Sequence, residues 1–252
     1  MKKVSCIVFL LMLKVLCVAQ TNLEKLFEDA NKNYEKKHYQ ESIDEYLKII
    51  NAGYSSDVVF YNLGNSYYKN KENTKAIIYF EKAIKANPHC RAAKTNLFFA
   101  RQKNLDKIVP ISDIILLKAW KKWKDVFSAN EWAIGSILFC WVATSFALYI
   151  LFSSVLFYKK ISLFLCVFSV FLCVFCGTIA FERNQYLSSA NEAIVVSPTV
   201  ALKTSPDTSS NTSVSLHEGT KLSLEDHIGQ WYRIKLEDGR FGWMEKKHFL
   251  SY

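Results

Sequence analysis

The fold of this chain is decided in its centre, where residues 132–158 read WAIGSILFCWVATSFALYILFSSVLFY and residues 161–181 read ISLFLCVFSVFLCVFCGTIAF. Neither run contains a charged residue, and only Lys159 and Lys160 separate them. At 1.5 Å per residue the first run makes a helix of about 40 Å, enough to cross the roughly 30 Å hydrocarbon layer of a bilayer. The pattern predicts two transmembrane helices, 132–158 and 161–181, in a hairpin that turns at the two lysines.

The first residues predict export. Lys2 and Lys3 precede an apolar run that ends at Ala19, a small residue suited to the cleavage position of a signal peptide over residues 1–19. An uncleaved anchor is the alternative, and it exports the residues that follow equally well. Under the positive-inside rule the Lys159–Lys160 turn is cytoplasmic. Both signals place the segments before and after the hairpin on the extracytoplasmic side.

Residues 105–131 connect the first of these segments to the hairpin. Within them, Ile111–Phe127 predicts an amphipathic helix, because Ile115, Ala119, Trp123 and Phe127 recur at helical spacing. The same stretch carries Lys118, Lys121, Lys122 and Lys124. The helix therefore either lies on the membrane surface against anionic headgroups or is a plain linker. The net charge of the chain is +9, and many of its lysines lie beside the membrane segments. Attraction of these lysines to anionic headgroups explains the basic composition, so we expect no nucleic-acid partner.

Small residues recur every four positions along both apolar runs. They are Ala143 and Ala147 on the first run, and Ser169, Cys173 and Gly177 on the second. Small side chains at this spacing let two helix backbones approach closely, so we expect these residues at the contact within the hairpin.

Residues 20–104 show a 34-residue period. The aligned pairs are Ala30 with Gly64, Tyr34 with Tyr68, Ser42 with Ala76, Tyr46 with Phe80 and Ile50 with Ile84. Such a period is typical of antiparallel helix pairs that stack into a solenoid. Gly64 and Ala76 are small where the helices of a pair would cross, and Pro88 would end the second helix. We expect two repeats and a capping helix over Arg91–Gln102.

The run Leu63-Gly64-Asn65-Ser66-Tyr67-Tyr68, followed by Ala76, Phe80, Ala83 and Pro88, resembles a tetratricopeptide repeat. The resemblance implies an all-α tetratricopeptide-repeat solenoid whose first helices line a groove for peptides or partner domains. The predicted partner-binding groove consists of Phe27, Asn31, Tyr61, Asn62, Asn65 and Thr95. For each of these residues, solvation on an ordinary helix surface is the alternative.

After the hairpin, short β-rich runs alternate with turn clusters. The runs are Ala193–Val196, Val200–Leu202, Thr220–Leu224, Trp231–Leu236 and Phe241–Met244, and Asp238-Gly239 is a hairpin signal between the last two. They predict a small barrel over residues 191–252. The Gly242-Trp243 pair and its spacing from Trp231 resemble a bacterial SH3-like domain, which implies an all-β SH3-like barrel.

Relatives of that domain bind cell-wall peptides. The resemblance therefore makes Trp231, Tyr232, Phe241 and Trp243 candidate ligand contacts. The alternative is that these aromatic side chains complete a small core.

The sequence contains no motif for catalysis. Its five histidines lack metal-ligand spacing, and no glycine-rich phosphate loop or nucleophile motif occurs. We therefore predict a protein that is not an enzyme and has no cofactor and no metal site.

The order of leader, tetratricopeptide repeats, two-span hairpin and SH3-like domain is similar to that of BatE-like proteins of the Bacteroides aerotolerance operon. The resemblance implies a bacterial inner-membrane protein with periplasmic soluble domains. It also implies partners among von Willebrand A-domain membrane proteins and a MoxR-type ATPase system. The favoured function is a scaffold in an envelope stress or aerotolerance complex. The alternative is a cell-wall sensor that binds peptidoglycan through the SH3-like domain.

Overall fold

The computed structural model describes residues 23–54, 56–110 and 115–252. They form two compact units, one holding the described residues up to 110 together with residues 190–252, and the other those from 115 to 189. The predicted signal peptide, residues 1–19, lies outside the described residues, as do the first four positions of the predicted helix Ile111–Phe127.

Five helices form the first part of the first unit. They are α1 over residues 23–35, α2 Tyr39–Asn51, α3 Asp57–Lys69, α4 Asn73–Ala86 and α5 Arg91–Arg101. The turns within the two helix pairs are alike, because Lys37 and Lys71 both adopt a left-handed conformation with φ of 66°. The predicted helix pairs and their 34-residue period are confirmed.

The predicted small residues lie where helices cross. A Cβ atom on Gly64 of α3 would lie 2.7 Å from two ring carbons of Phe80 on α4, so only glycine fits there. Ala76 and Phe80 are fully buried. In the first repeat Ser42 takes the position that Ala76 has in the second. Its buried hydroxyl lies 3.0 Å from that of Ser66, so the two hydroxyls are paired with each other.

Seven antiparallel strands follow the hairpin. They are β1 Glu192–Val195, β2 Thr199–Lys203, β3 Thr212–His217, β4 Lys221–Ile228, β5 Trp231–Lys235, β6 Phe241–Glu245 and β7 Phe249–Ser251. The strands are ordered β3-β2-β6-β5-β4-β1-β7. The sequence predicted five strands and missed two. It missed β3 because that strand is rich in serine and threonine, and β7 because it has only three residues. Both lie at the edges of the sheet.

The sheet has its own core, and two buried residues of the sheet region also belong to the core of the helical repeats. Ile194 of β1 and Tyr252 are buried within the cluster that α1 to α5 form. The Lys85 ammonium on α4 donates a hydrogen bond to the Tyr252 carbonyl at 3.2 Å. The sequence suggested two separate domains, whereas the structure joins them in a contact that we call the junction.

A group of charges lies at the junction. Lys221 Nζ of β4 is 3.0 Å from Oε2 of Glu81 on α4 and 3.0 Å from Oε1 of Glu192 on β1. Glu81 also accepts a hydrogen bond from Arg101. Burial alone would lower the pKa of Lys221, but the two carboxylates raise it above its ordinary value, so the lysine stays charged.

The residues after α5 bind the turn between β3 and β4. The Asp106 carboxylate accepts from the backbone N–H of His217 at 2.6 Å and the hydroxyl of Thr220 at 2.7 Å, and lies 2.8 Å from His217 Nδ1. Burial acts to raise the pKa of Asp106, and the bonds from Thr220 and His217 lower it below its ordinary value. Asn104 Nδ2 donates to the Gly219 carbonyl at 2.8 Å.

The second unit contains helices α6 Ile115–Lys124, α7 Ala129–Phe152 and α8 Leu156–Ser188. Helices α7 and α8 are each long and apolar enough to span a membrane. The predicted turn at Lys159–Lys160 is wrong, because the break lies at Ser153–Val155 and both lysines belong to α8. Lysine is a good helix former, whereas serine competes for backbone hydrogen bonds at helix ends.

The contact between α7 and α8 uses most of the predicted small residues. Ala143 and Ser169 are buried, and a Cβ atom on Gly177 would lie 3.3 Å from Ser136 Oγ. The same Ser136 hydroxyl donates to the Cys173 carbonyl at 2.9 Å. Ala147 is exposed and lies outside the contact. Helix α6 also differs from its prediction, since it ends at Lys124 and leaves Phe127 outside.

Candidate functional site

One cavity opens on the side of the helical repeats formed by the first helix of each pair and by α5. Its volume is about 250 Å³. Its lining, which we call the groove, consists of Tyr34, Tyr61, Asn65, Tyr68, Lys69, Asn96 and Phe99. These residues come from α1, α3 and α5, so the stacking of successive units forms the groove.

Asparagine pairs join the helices of the groove. Asn62 Nδ2 donates to Asn31 Oδ1 at 3.2 Å, and one repeat later Asn96 Nδ2 donates to Asn65 Oδ1 at 2.7 Å. The Tyr46 hydroxyl also donates to Asn31 Oδ1, at 2.5 Å. Each amide carries two N–H donors and two acceptor sites, so these pairs fix the amide orientation and keep further hydrogen-bonding capacity.

The groove is aromatic and almost neutral. Its lining contains three phenols, two amides, one phenyl ring and the Lys69 ammonium, and no carboxylate. Burial raises the pKa of Tyr34, with smaller contributions from Tyr39 and Tyr61, so its hydroxyl is neutral near pH 7. At the neighbouring surface, Lys103 Nζ lies 4.1 Å from the centroid of the Tyr68 ring. This chemistry suits a peptide backbone with an aromatic or acidic side chain.

The structure places only some of the predicted groove residues at the groove. Tyr61 and Asn65 line the groove, and Asn31 and Asn62 form the amide pair described above. Phe27 lies instead in a second, apolar cavity and packs against Tyr46 with ring centroids 5.9 Å apart. Thr95 is exposed and is outside the groove lining. That any of these residues contacts a partner stays a prediction.

Five groove residues were missed by the sequence reasoning: Tyr34, Tyr68, Lys69, Asn96 and Phe99. The 34-residue period contained a usable signal, because it relates Tyr34 to Tyr68, Asn62 to Asn96 and Asn65 to Phe99. Tracing each first-helix position through all units would have identified most of the lining.

A second surface lies on the sheet. In the register of β5 and β6, Trp231 is opposite Glu245, Arg233 opposite Trp243, and Lys235 opposite Phe241. Directly opposed residues and every second residue of a strand share one face. We call this mixed aromatic and charged surface the outer sheet face.

A cavity beside the outer sheet face includes one of its tryptophans. Its volume is about 240 Å³, and its lining comprises Val200, Ala201, Lys203, Thr208, Trp231, Glu245 and His248. The face and this cavity together present aromatic rings, cations and one carboxylate.

Tyr232 lies on the opposite face of the sheet from the other three predicted aromatics. It packs against the sheet core, its ring centroid 5.3 Å from that of Phe249 and 5.4 Å from that of His227. The alternation of side chains along β5 explains the separation, because Tyr232 follows Trp231 directly. The structure therefore does not bring Tyr232 together with the other three, and contact of any of the four with a ligand stays a prediction.

Side chains that could ligate a metal ion are scattered along the described part of the chain. Within residues 23–54, 56–110 and 115–252, no group of three or more histidine, cysteine, aspartate or glutamate side chains could hold a metal ion.

Comparison with known families identifies the second helix pair. A family model for the tetratricopeptide repeat matches residues 58–90, which cover nearly all of α3, the whole of α4 and the turn that follows. The predicted tetratricopeptide repeat is thereby confirmed at these positions. Repeats of this family are typically non-catalytic modules for protein interaction. No curated protein matches the chain.

Proposed function

We propose that this protein is a membrane-anchored scaffold that holds a partner protein in the groove of its helical repeats. The groove is the observation that carries the proposal. It joins three helices into one concave surface, and its fixed amides, neutral phenols and single lysine match a peptide backbone better than a small charged substrate. The confirmed tetratricopeptide repeat supports the same conclusion.

Helices α7 and α8 anchor the scaffold by spanning the membrane as a hairpin. Their apolar side chains are largely exposed, which is favourable in hydrocarbon and costly in water. The signal peptide predicted from residues 1–19 supports an extracytoplasmic, periplasmic location for the helical repeats and the sheet. The similarity to BatE-like proteins supports von Willebrand A-domain membrane proteins and a MoxR-type ATPase system as partners in envelope stress tolerance.

Site-specific photo-crosslinking tests the scaffold. A benzophenone amino acid replaces Lys69 at the groove in the full-length protein, and Lys48 on the exposed side of α2 is the matched control. We expect discrete protein crosslinks in native membranes from position 69 and none from position 48. Substituting Asn65→Ala in the same chain should weaken them. Equal labelling from both positions would refute binding in the groove.

A second function, cell-wall binding, is supported by the outer sheet face. Trp231, Phe241 and Trp243 share this face with Arg233 and Lys235, so it could stack on sugars and pair with the carboxylates of wall peptides. We propose, as this second function, that the sheet is an SH3-like domain that binds the cell wall through these residues.

Binding of purified full-length protein to soluble muropeptides tests this second function. Trp243→Ala should abolish binding, whereas Leu250→Ala, which removes an exposed apolar side chain elsewhere on the sheet, should leave it unchanged. Equal affinities of the two variants and the unmodified protein would exclude the outer sheet face as the wall-binding surface.

A further inference from the structure

Helix α6 packs one face against the end of the α7–α8 hairpin. The rings of Trp120 and Trp123 stack with centroids 5.3 Å apart, and both lie near Phe175 of α8, at 6.5 and 5.9 Å. Trp123 also lies 5.1 Å from Trp132 of α7, whose indole N–H donates to the Lys124 carbonyl at 3.1 Å. The aromatic face of α6 therefore contacts both apolar helices, while Trp120 and Trp123 stay 44% and 42% exposed.

These contacts set the depth of α6 relative to the membrane. Glu182 and Arg183 are the first charged residues after the apolar run of α8, so they mark the membrane–water boundary of a spanning hairpin. Phe175 precedes Glu182 by seven residues, which is about 10 Å along a helix. Trp132, which contacts Trp123, is the first residue of the other apolar run, so the aromatic cluster begins at the boundary and extends below it. Tryptophan is enriched where headgroups meet acyl chains, at the start of this cluster.

Two ion pairs hold the end of α6 at that boundary. Lys124 Nζ lies 2.5 Å from Glu182 Oε1, and Asp125 pairs with Arg183. These pairs neutralise the charges of Lys124 and Arg183 within the unit. They also bring the end of α6 to the charged residues of α8.

The other lysines of α6 point away from the aromatic face. Lys118, Lys121 and Lys122 are exposed and lie three and four residues apart, on the side of the helix opposite Trp120 and Trp123. The sequence of α6, ILLKAWKKWK, includes no acidic residue, so positive charge is concentrated along it. At its start, Ile115 and Leu116 are 85% and 79% exposed, which is costly in water and favourable among acyl chains.

We propose that α6 is an interfacial helix whose Lys118, Lys121 and Lys122 bind the phosphate groups of anionic phospholipids. The inference rests on the proposed membrane-spanning hairpin. It commits to one ligand, the anionic lipid headgroup, because three exposed cations lie on the face of α6 opposite a tryptophan cluster that begins at the membrane–water boundary. It also explains why lysines lie at the end of the hairpin that the positive-inside rule assigns to the outer side.

Lipid titration of the full-length protein in detergent micelles tests the inference, with bound lipids counted by native mass spectrometry. Phosphatidylglycerol and phosphatidylcholine are the probes. One variant combines Lys118→Gln, Lys121→Gln and Lys122→Gln. A charge-matched control combines Lys25→Gln, Lys32→Gln and Lys48→Gln on the exposed surface of α1 and α2. A third variant replaces the three α6 lysines by arginine.

Each surface lysine contributes about fivefold to the affinity for anionic lipid, so the triple glutamine variant should bind phosphatidylglycerol roughly 100-fold more weakly. The control and the arginine variant should bind it normally, and 0.5 M salt should weaken binding by all charged forms. Equal binding of both lipids, or an unchanged affinity in the triple glutamine variant, would overturn the inference.

Alkaline carbonate extraction separates this inference from the proposed anchor. If the unmodified protein leaves the membrane at pH 11, the spanning hairpin is wrong and the lipid site falls with it. If it stays in the membrane but shows no preference for phosphatidylglycerol, only the role of α6 is wrong.

Discussion

Replacing Lys221 by methionine should loosen the junction between the helical repeats and the sheet. Methionine keeps most of the lysine volume but removes the ammonium that lies 3.0 Å from both Glu81 and Glu192. At an effective dielectric constant near 20, each such contact is worth about 5 kcal/mol of Coulomb attraction, which desolvation partly offsets. Breaking a buried pair costs about 3–5 kcal/mol, and because Glu81 keeps Arg101 we expect about 3 kcal/mol.

Hydrogen exchange of the full-length protein in detergent measures this loss locally. Amides of α4 and β1 should exchange roughly 150-fold faster in the Lys221→Met variant, which is the rate equivalent of about 3 kcal/mol. Lys235→Met is the control, because Lys235 is exposed and lies 3.8 Å from Glu225. A surface pair of this kind contributes less than about 1 kcal/mol.

A double variant tests whether the effect comes from the uncompensated carboxylate. Glu81→Gln combined with Lys221→Met should cost less than the sum of the two single changes, because residue 81 is neutral in the double variant and no longer loses a charged partner. If Lys221→Met and Lys235→Met accelerate exchange equally, the junction does not depend on the buried charges and the reasoning fails.

Three further outcomes follow from single contacts. Gly64→Ala should destabilise the repeats by about 1–3 kcal/mol in urea unfolding, because its methyl group would lie 2.7 Å from ring carbons of Phe80; a cost near zero would contradict this close contact. The lowered pKa of Asp106 means that its stabilising effect is complete above about pH 4 and is lost as the pH falls through its folded-state pKa. Asp106→Asn should remove that acid-dependent part of amide protection near Thr220, and an unchanged pH profile would exclude Asp106 as its source. Ser128→Ala should fray the start of α7 by about 1 kcal/mol, seen as faster local exchange, because Ser128 and Glu131 form a capping box.

The helix pairs and the apolar helices were predictable because each follows from a pattern within one continuous segment of the sequence. The 34-residue period predicted the helix pairs and the small residues Gly64 and Ala76 at their crossing, since a repeated contact requires similar residue sizes in each unit. The apolar runs likewise predicted α7 and α8, since hydrocarbon requires a backbone that satisfies its own hydrogen bonds. The break between them was misplaced because lysines separate apolar runs without ending a helix.

The groove was predictable in part. The resemblance to tetratricopeptide repeats, whose first helices line a groove, identified Tyr61 and Asn65. The alternation of side chains along β5 is enough to place Tyr232 and Trp231 on opposite faces. Phe27 was misassigned because a first-helix position can point toward the neighbouring helix as well as into the groove, and only the packing of Tyr46 against it decides which.

The sequence by itself determined that this chain has stacked helix pairs, two helices able to cross a membrane, and a β-rich C-terminal region. Only the tertiary structure decided that the last region docks on the helical repeats. The contact between Lys221 and Glu81 joins residues 140 positions apart, and no period or motif relates them. Coulomb attraction depends on distance in space, so the partner of a charge is known only once the chain has folded around it.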